Sequence, residues 1–402
     1  MPLMIYDTRT RSKREFQPRN PPQVNMYVCG PTVYGPAHLG HARSYVAFDV
    51  ARRYLEFKGF NVRLVQNFTD VDDAITRVAS ERGVSPADLA AKNIQSFLAD
   101  MQQLGIEPAF AYPRVSDHIR EIIGTVQALV EKGYAYATDG NVFFRVSKTK
   151  SLGTLSHRDT EAMIVDEMAP AEGRENPLDF ALWRKSQAGH PSWPSPWGEG
   201  RPGWHVECFA MSTKYLGDHL DVHCGGTDLI FPHHESEAMI SEAFVGDGWC
   251  GYWLHNGFIT IEQQKMSKSL GNFVMVGDLL RDYPGEVIRF CMLKEQYRKN
   301  VEYDRECFRR TSEEMDKMKV SLGRARSAHG KASGGKIDAV VKSTRERFFK
   351  AMDNDFDTAT AIDVLIQFTA AVQEIDEMSI EEGKAIAAAY EDIGRVLGLF
   401  GA

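Results

Sequence analysis

The sequence predicts an α/β fold: a Rossmann-like parallel sheet split by an insertion and followed by a C-terminal helical bundle. Three observations predict it. Strand, long helix and strand follow one another near the start within about 45 residues, the reach of a βαβ unit, and such units build parallel sheets. The alternation then dissolves into irregular text and resumes near Gly203. From Arg305 onward the pattern is helical.

The first strand is the apolar run Val24–Cys29. A helical pattern follows from about His38 to Lys58, where Val46, Val50 and Tyr54 recur at i, i+4 and i+8 beside Ala47, Ala51 and Leu55. Gly59 stops it. Asn61–Asn67 reads as the second strand, with Val62 and Leu64 alternating. Helical segments are expected over 86–105 and 115–132. The stretch from Asp139 to Trp197 closes on Pro191-Ser192-Trp193-Pro194-Ser195-Pro196-Trp197-Gly198, text of a loop or insertion and not of sheet core. Beyond Gly203, His205–Tyr215 reads as helix, Leu220–His223 as strand, Pro232–Phe244 as helix and Tyr252–Ile261 as strand. Residues 330–335 form a flexible linker, and helices are expected near 338–352, 358–377 and 380–398. The division expected is a first half of the Rossmann-like domain (1–112), a connective insertion (113–200), a second half (201–262), a loop region (263–304) and the bundle (305–402).

Composition narrows the function classes. The chain is 43% hydrophobic and 25% charged, a globular balance, and no apolar run reaches the roughly 18 residues of a membrane span. Met1–Phe16 is polar and charged, unlike a signal peptide, so the expected location is cytoplasmic, without membrane contact and as a monomer. Six scattered cysteines, with no CxxC pair, give no sign of a disulfide scaffold. A net charge of −8 argues against a large nucleic-acid footprint while leaving room for a local basic patch.

Two motifs carry phosphate chemistry. Pro36-Ala37-His38-Leu39-Gly40-His41 lies where a strand hands over to a helix N-terminus, the place where free N–H groups and the helix dipole favour an anion. Gly40 lets a ligand approach the backbone, and His38 and His41 can reach one phosphate chain. Lys265-Met266-Ser267-Lys268-Ser269 follows the last strand of the second half, and its two lysines suit a clamp on a pentavalent phosphate transition state. Either motif alone is as well explained by a solvated surface loop. Together, in this order, they resemble the signatures of class I aminoacyl-tRNA synthetases.

The surrounding text resembles cysteinyl-tRNA synthetases along most of the chain. The stretches that carry the resemblance are Val28-Cys29-Gly30-Pro31-Thr32-Val33-Tyr34, Asn67-Phe68-Thr69-Asp70-Val71-Asp72-Asp73, Arg201-Pro202-Gly203-Trp204-His205-Val206-Glu207-Cys208, Gly225-Gly226-Thr227-Asp228-Leu229-Ile230-Phe231-Pro232-His233-His234-Glu235 and Ala351-Met352-Asp353-Asn354-Asp355-Phe356-Asp357-Thr358. The resemblance implies one zinc ion on Cys29, Cys208, His233 and Glu237, the last two being i, i+4 on one expected helix. It implies ATP with Mg2+, held by His38, Gly40, His41, Lys265, Lys268 and Asp228, although Asp228 could equally face the amino group. It implies cysteine bound by Gly30, Thr69 and Trp204, and the acceptor end of tRNA(Cys) as partner. His234, beside a metal ligand, is as readily structural as catalytic.

Three departures from the family pattern stand out. Cys224 occupies a position where glycine is usual, and its thiol either packs or competes for metal. Ala74 stands where the family often has lysine. The small C-terminal domain that reads the anticodon has no evident counterpart, so charging is expected to tolerate anticodon changes, with tRNA contacts falling to Arg298, Lys299, Arg305, Arg309, Arg310, Arg324 and Arg326. The alternative is a cysteine ligase acting on an amino-sugar, of the mycothiol-pathway type, which shares these motifs and lacks that domain. Retention of Glu237 speaks against it. A non-catalytic cysteine-sensing paralog would not need the intact ATP motifs.

Overall fold

A computed structural model describes residues 2–159, 163, 173–261, 264–265, 273–333 and 335–401. An N-terminal hairpin, β1 (Met4–Asp7) and β2 (Ser12–Glu15), precedes β3 (Gln23–Val28), helix α1 (Leu39–Phe57) and β4 (Asn61–Gln66). Helices α2 (Asp73–Arg82), α3 (Pro86–Gln103) and α4 (Ile119–Glu131) follow. Then come β5 (Ala135–Thr138), β6 (Asn141–Phe144), β7 (Phe180–Lys185) and β8 (Gly200–Pro202). The second half of the sheet is β9 (Leu220–Gly226) and β10 (Cys250–Asn256), flanked by the helices Trp204–Leu216 and Glu235–Val245.

The central sheet has the order β10-β9-β3-β4, and every pairing in it is parallel. From β3 the chain moves outward one way to β4 and later the other way to β9. The crevice at the carboxyl ends of β3 and β9 is therefore a topological switch point, where open α/β sheets bind ligands. Side chains alternate across the sheet as strand geometry requires. Val24, Met26, Val28, Val222, Cys224, Tyr252 and Leu254 join the core on the α1 side, whereas Tyr27, Cys29, Val65 and Trp253 join the core on the other.

The segment expected to be irregular is partly a sheet. Strands β5-β6-β7-β8 pair antiparallel in that order. Their shortness and the many residues between β6 and β7 hide the period-2 pattern. The helix expected from Pro232 starts only at Glu235, after a π turn over Ile230–His234 in which Phe231 is extended. The expected strand Tyr252–Ile261 divides into β10 and β11 (Ile259–Ile261), which belongs to a second small sheet with β12 (Gln264–Lys265) and β13 (Val301–Glu302). Two helices, Val276–Asp282 and Gly285–Leu293, lie between β12 and β13. The C-terminal region consists of the connecting helix Arg305–Arg326 and the helices Lys336–Met352, Thr358–Gln373 and Ile380–Leu397. One further expectation is corrected: Cys291 and Cys307 are joined by a disulfide.

A buried ion-pair knot ties the catalytic body to the last helix. Asp49 of α1 accepts from Arg53 Nε at 2.7 Å, from Glu107 N at 2.9 Å and from Arg289. Arg289 also donates to Leu397 O at 2.6 Å and to Gly105 O at 3.2 Å. Burial pushes the Asp49 carboxyl upward, but Arg289 and Arg53 outweigh it and hold the group below the usual carboxylate range. No helix among the described residues is long and apolar enough to cross a membrane.

Candidate active site and metal cluster

A cavity of about 390 Å³ opens at the switch point. Its walls include Gly30, His38, Gly40, His41, Thr69, Trp204 and Asp228, and its floor includes Cys29, Cys208 and His233. Most of the expected site residues therefore meet in one place. Lys265 lies on β12, backbone-paired with Thr260, and Lys268 falls outside the described residues.

The phosphate side is built on the start of α1. His38 is its N-cap, and the His38 backbone N–H donates to His41 Nδ1 at 3.2 Å. The two imidazoles stack with centroids 3.8 Å apart, and His38 stacks in turn on Phe273 at 4.7 Å. Burial lowers the pKa of His38 to about 4 and that of His41 well below its ordinary value. Both rings are thus neutral near pH 7 in the free protein. Backbone bonds from Leu39 N to Val274 O and from Val276 N to Ala37 O, at 2.8 and 2.9 Å, fasten the HxGH segment to the chain just beyond the second signature loop. Phe273 is not among the residues expected from sequence, because nothing in a lone phenylalanine after a loop marks it.

Cys29, Cys208, His233 and Glu237 each offer a ligand atom, all within 4.8 Å of one another and all buried. The two sulfurs are 3.8 Å apart, and Cys29 Sγ lies 3.8 Å from Glu237 Oε1. A tetrahedron with metal–sulfur bonds of about 2.3 Å has an edge of about 3.8 Å, so the donor spacing fits zinc. Although burial opposes it, the Glu237 charge raises His233 to about 10, so the site favours positive charge. The two thiols divide: hydrogen bonding with Cys29 lowers Cys208 to about 6, while burial and Cys208 push Cys29 well up. A second set, Cys29, His223, His234 and Glu237, meets the same spacing. It has one thiol where the first has two, and neither His223 nor His234 lines the cavity. Each of these histidines also contacts a member of the first set: His223 Nε2 lies 2.9 Å from Glu237 Oε2, and His234 Nε2 lies 3.2 Å from Cys29 Sγ. Such outer partners fix the orientation of metal ligands. Cys224 shares the α1-side core, across the sheet from Cys29, so it packs there and takes no part in either cluster.

Gly30 makes room at the floor. A Cβ on it would fall 1.5 Å from the backbone oxygen of Asn67, while its N–H donates to Asn67 Oδ1 at 2.8 Å. Gly30→Ala must therefore shift the backbone at Cys29–Gly30 or at Asn67. The expected outcome is loss of bound metal and of cysteine-dependent ATP–pyrophosphate exchange in a protein that still folds, read by metal analysis and exchange assay. Trp204 stacks on His233 at 4.3 Å, closing one side of the pocket. The seven basic residues expected to meet tRNA are engaged within the chain: Arg298 with Asp355, Lys299 with Glu295, Arg305 with Asp282, Arg309 with Glu306, Arg310 with Asp304, Arg326 with Glu391 and Arg324 with Ile375 O.

Residues 15–313 match the family model of the class I tRNA synthetase (C) catalytic domain, and residues 347–401 match the DALR domain. The expectation that the anticodon-binding domain is missing is thereby corrected, and the ground for expecting tolerance of anticodon changes goes with it. Helical periodicity gives the helices of that region but not the kind of bundle they form. A cysteine–tRNA ligase of Thermococcus gammatolerans is 46% identical, covering 100% of this chain and 87% of its own. That of Pyrococcus horikoshii is 47% identical with the same coverage, and that of Carboxydothermus hydrogenoformans is 46% identical over 91% of this chain and 79% of its own. A Mycobacterium tuberculosis methionyl-tRNA synthetase structure superposes with a TM-score of 0.67 at 17% identity, covering 93% of this chain and 89% of that one, a likeness of fold. With its catalytic domain matched across both signature regions and relatives this similar along its length, the chain belongs to the cysteine–tRNA ligase family of class I tRNA synthetases.

Proposed function

We propose that this chain activates cysteine with ATP and transfers it to tRNA(Cys), selecting sulfur through a zinc ion on Cys29, Cys208, His233 and Glu237. The observation that carries the reading is the clustering of these four donors, three of which, Cys29, Cys208 and His233, line a cavity that the HxGH helix start also lines. These four residues would hold the zinc, which would supply a Lewis acid with a preference for sulfur over a hydroxyl oxygen. Shape alone separates such near-isosteres only weakly. Gly30, Thr69 and Trp204 hold the amino acid, so that its carboxylate faces the α-phosphate of ATP. His38 and His41 bind the phosphates as neutral donors, and Gly40 between them leaves the backbone open to close approach. Asp228 faces the same space, from the turn after Gly225 and Gly226. Lys265 and Lys268 offset charge developing on the leaving pyrophosphate, and Mg2+ accompanies the nucleotide.

Lys268→Ala is expected to slow cysteinyl-adenylate formation by roughly 10²-fold with a smaller change in ATP affinity, as for loss of a transition-state contact. Single-turnover kinetics with an ATP titration separate the two. Weaker ATP binding at an unchanged rate would make the lysine a ground-state anchor only. The acceptor is tested by offering labelled cysteine and ATP with total tRNA or with amino-sugars. Charging of tRNA alone supports the reading, and charging of an amino-sugar alone overturns it.

A further inference from the structure

The Cys291–Cys307 pair lies outside the cavity and has no part in the chemistry above. Cys291 sits inside the helix Gly285–Leu293 and is 4% exposed, while Cys307 is half-buried in the first turn of the connecting helix. Their Cα atoms are 6.5 Å apart, within the range a disulfide spans. The other four cysteines are buried and unbonded. The substrate of this family is itself a thiol, so the protein works in the presence of a reagent able to exchange with that bond.

We infer that Cys291–Cys307 is a thiol–disulfide exchange site for small thiols of the substrate's own class, opened by cysteine and closed by cystine, with Cys307 as the sulfur that exchanges. Opening begins when a cysteine thiolate attacks Cys307 Sγ. A new sulfur–sulfur bond forms there, the bond to Cys291 breaks, and its electron pair leaves on Cys291 sulfur, which takes a proton. A second cysteine thiolate attacks the cysteine sulfur of this mixed disulfide and releases Cys307 as a thiolate together with cystine. Two thiols are oxidised and one disulfide is reduced; closing is the reverse, with cystine as oxidant. Access selects Cys307, and its place near a helix N-terminus favours its thiolate. Burial of Cys291 makes it a poor leaving group, so exchange is slow.

The bond fastens the first turn of the connecting helix to the helix Gly285–Leu293, so opening it loosens that turn. The test equilibrates the full-length protein in buffers of varied cysteine-to-cystine ratio, followed by alkylation, peptide mass analysis and amide hydrogen exchange. The expected result is a pair that passes from linked to doubly alkylated, an S-cysteinyl adduct on Cys307 and not on Cys291, and exchange over 305–309 several-fold faster in the open form. Cys307→Ser should exchange at the open-form rate in every buffer. A pair that stays dithiol in excess cystine, an adduct confined to Cys291, or equal exchange in both forms overturns the inference. None of these readouts uses activity, so failure here is distinct from failure of the metal assignment.

Discussion

Cys208→Ser is expected to lose both its metal and its power to activate cysteine. Structural zinc sites contribute about 10–16 kcal/mol over four ligands, or roughly 3 kcal/mol for each, so one poor ligand weakens binding on the order of 10²-fold or more. The serine hydroxyl is nearly isosteric and sits in a buried site, which keeps the loss chemical more than structural. His223→Asn provides the contrast. It removes a supporting bond to Glu237 and should weaken metal binding by roughly 10–100-fold, as outer partners do, without removing a donor. Metal titration of both variants beside ATP–pyrophosphate exchange checks the pair. Full activation in metal-free Cys208→Ser would sink the assignment, and a greater loss in His223→Asn would favour the second donor set.

Asp49→Ala is expected to be the most destabilising single change outside the site. It leaves Arg289, fully buried, without its carboxylate, while Arg53 keeps Glu107. Removing one partner of a buried pair costs roughly 3–5 kcal/mol, because the other charge stays desolvated. The same knot predicts an acid limit. Asp49 has a depressed folded-state pKa, so its stabilisation is present above the unfolded carboxylate value and disappears as pH falls through the folded one. Denaturant unfolding of the wild type and Asp49→Ala between neutral and acid pH checks both statements. A difference that stays constant through the acid range would show that the carboxylate's ionisation contributes nothing.

The parts of the fold legible in sequence are those with a long period or a sharp stop. Helix α1, with Val46, Val50 and Tyr54 on one face and Gly59 beyond it, is read within a residue of its observed ends. Strands β3 and β4 are legible because the first is a short apolar run and the second alternates Val62 and Leu64 with polar residues. The sheet of the insertion is not: β5, β6 and β8 have three or four residues each, and although β5 and β6 form a hairpin across Asp139 and Gly140, β7 lies far along the chain from β6. The candidate metal donors are named from residue type and family resemblance, and Thr69 and Trp204 from resemblance alone. His223 leaves no mark in the sequence, since a supporting hydrogen bond has no periodic trace. The disulfide escapes for the same reason: sixteen residues separate its cysteines, and only the packing of two helices brings them together.

The central claim is that sulfur is selected by direct bonding to a metal on Cys29 and Cys208. Zinc-edge X-ray absorption on the zinc-loaded protein tests it most directly, with no substrate, with cysteine and with serine. The account predicts two sulfur neighbours in the free protein, three with cysteine, and no change with serine. A sulfur count that stays at two when cysteine is bound, or a free-protein spectrum that is unaltered in Cys208→Ser, would contradict it.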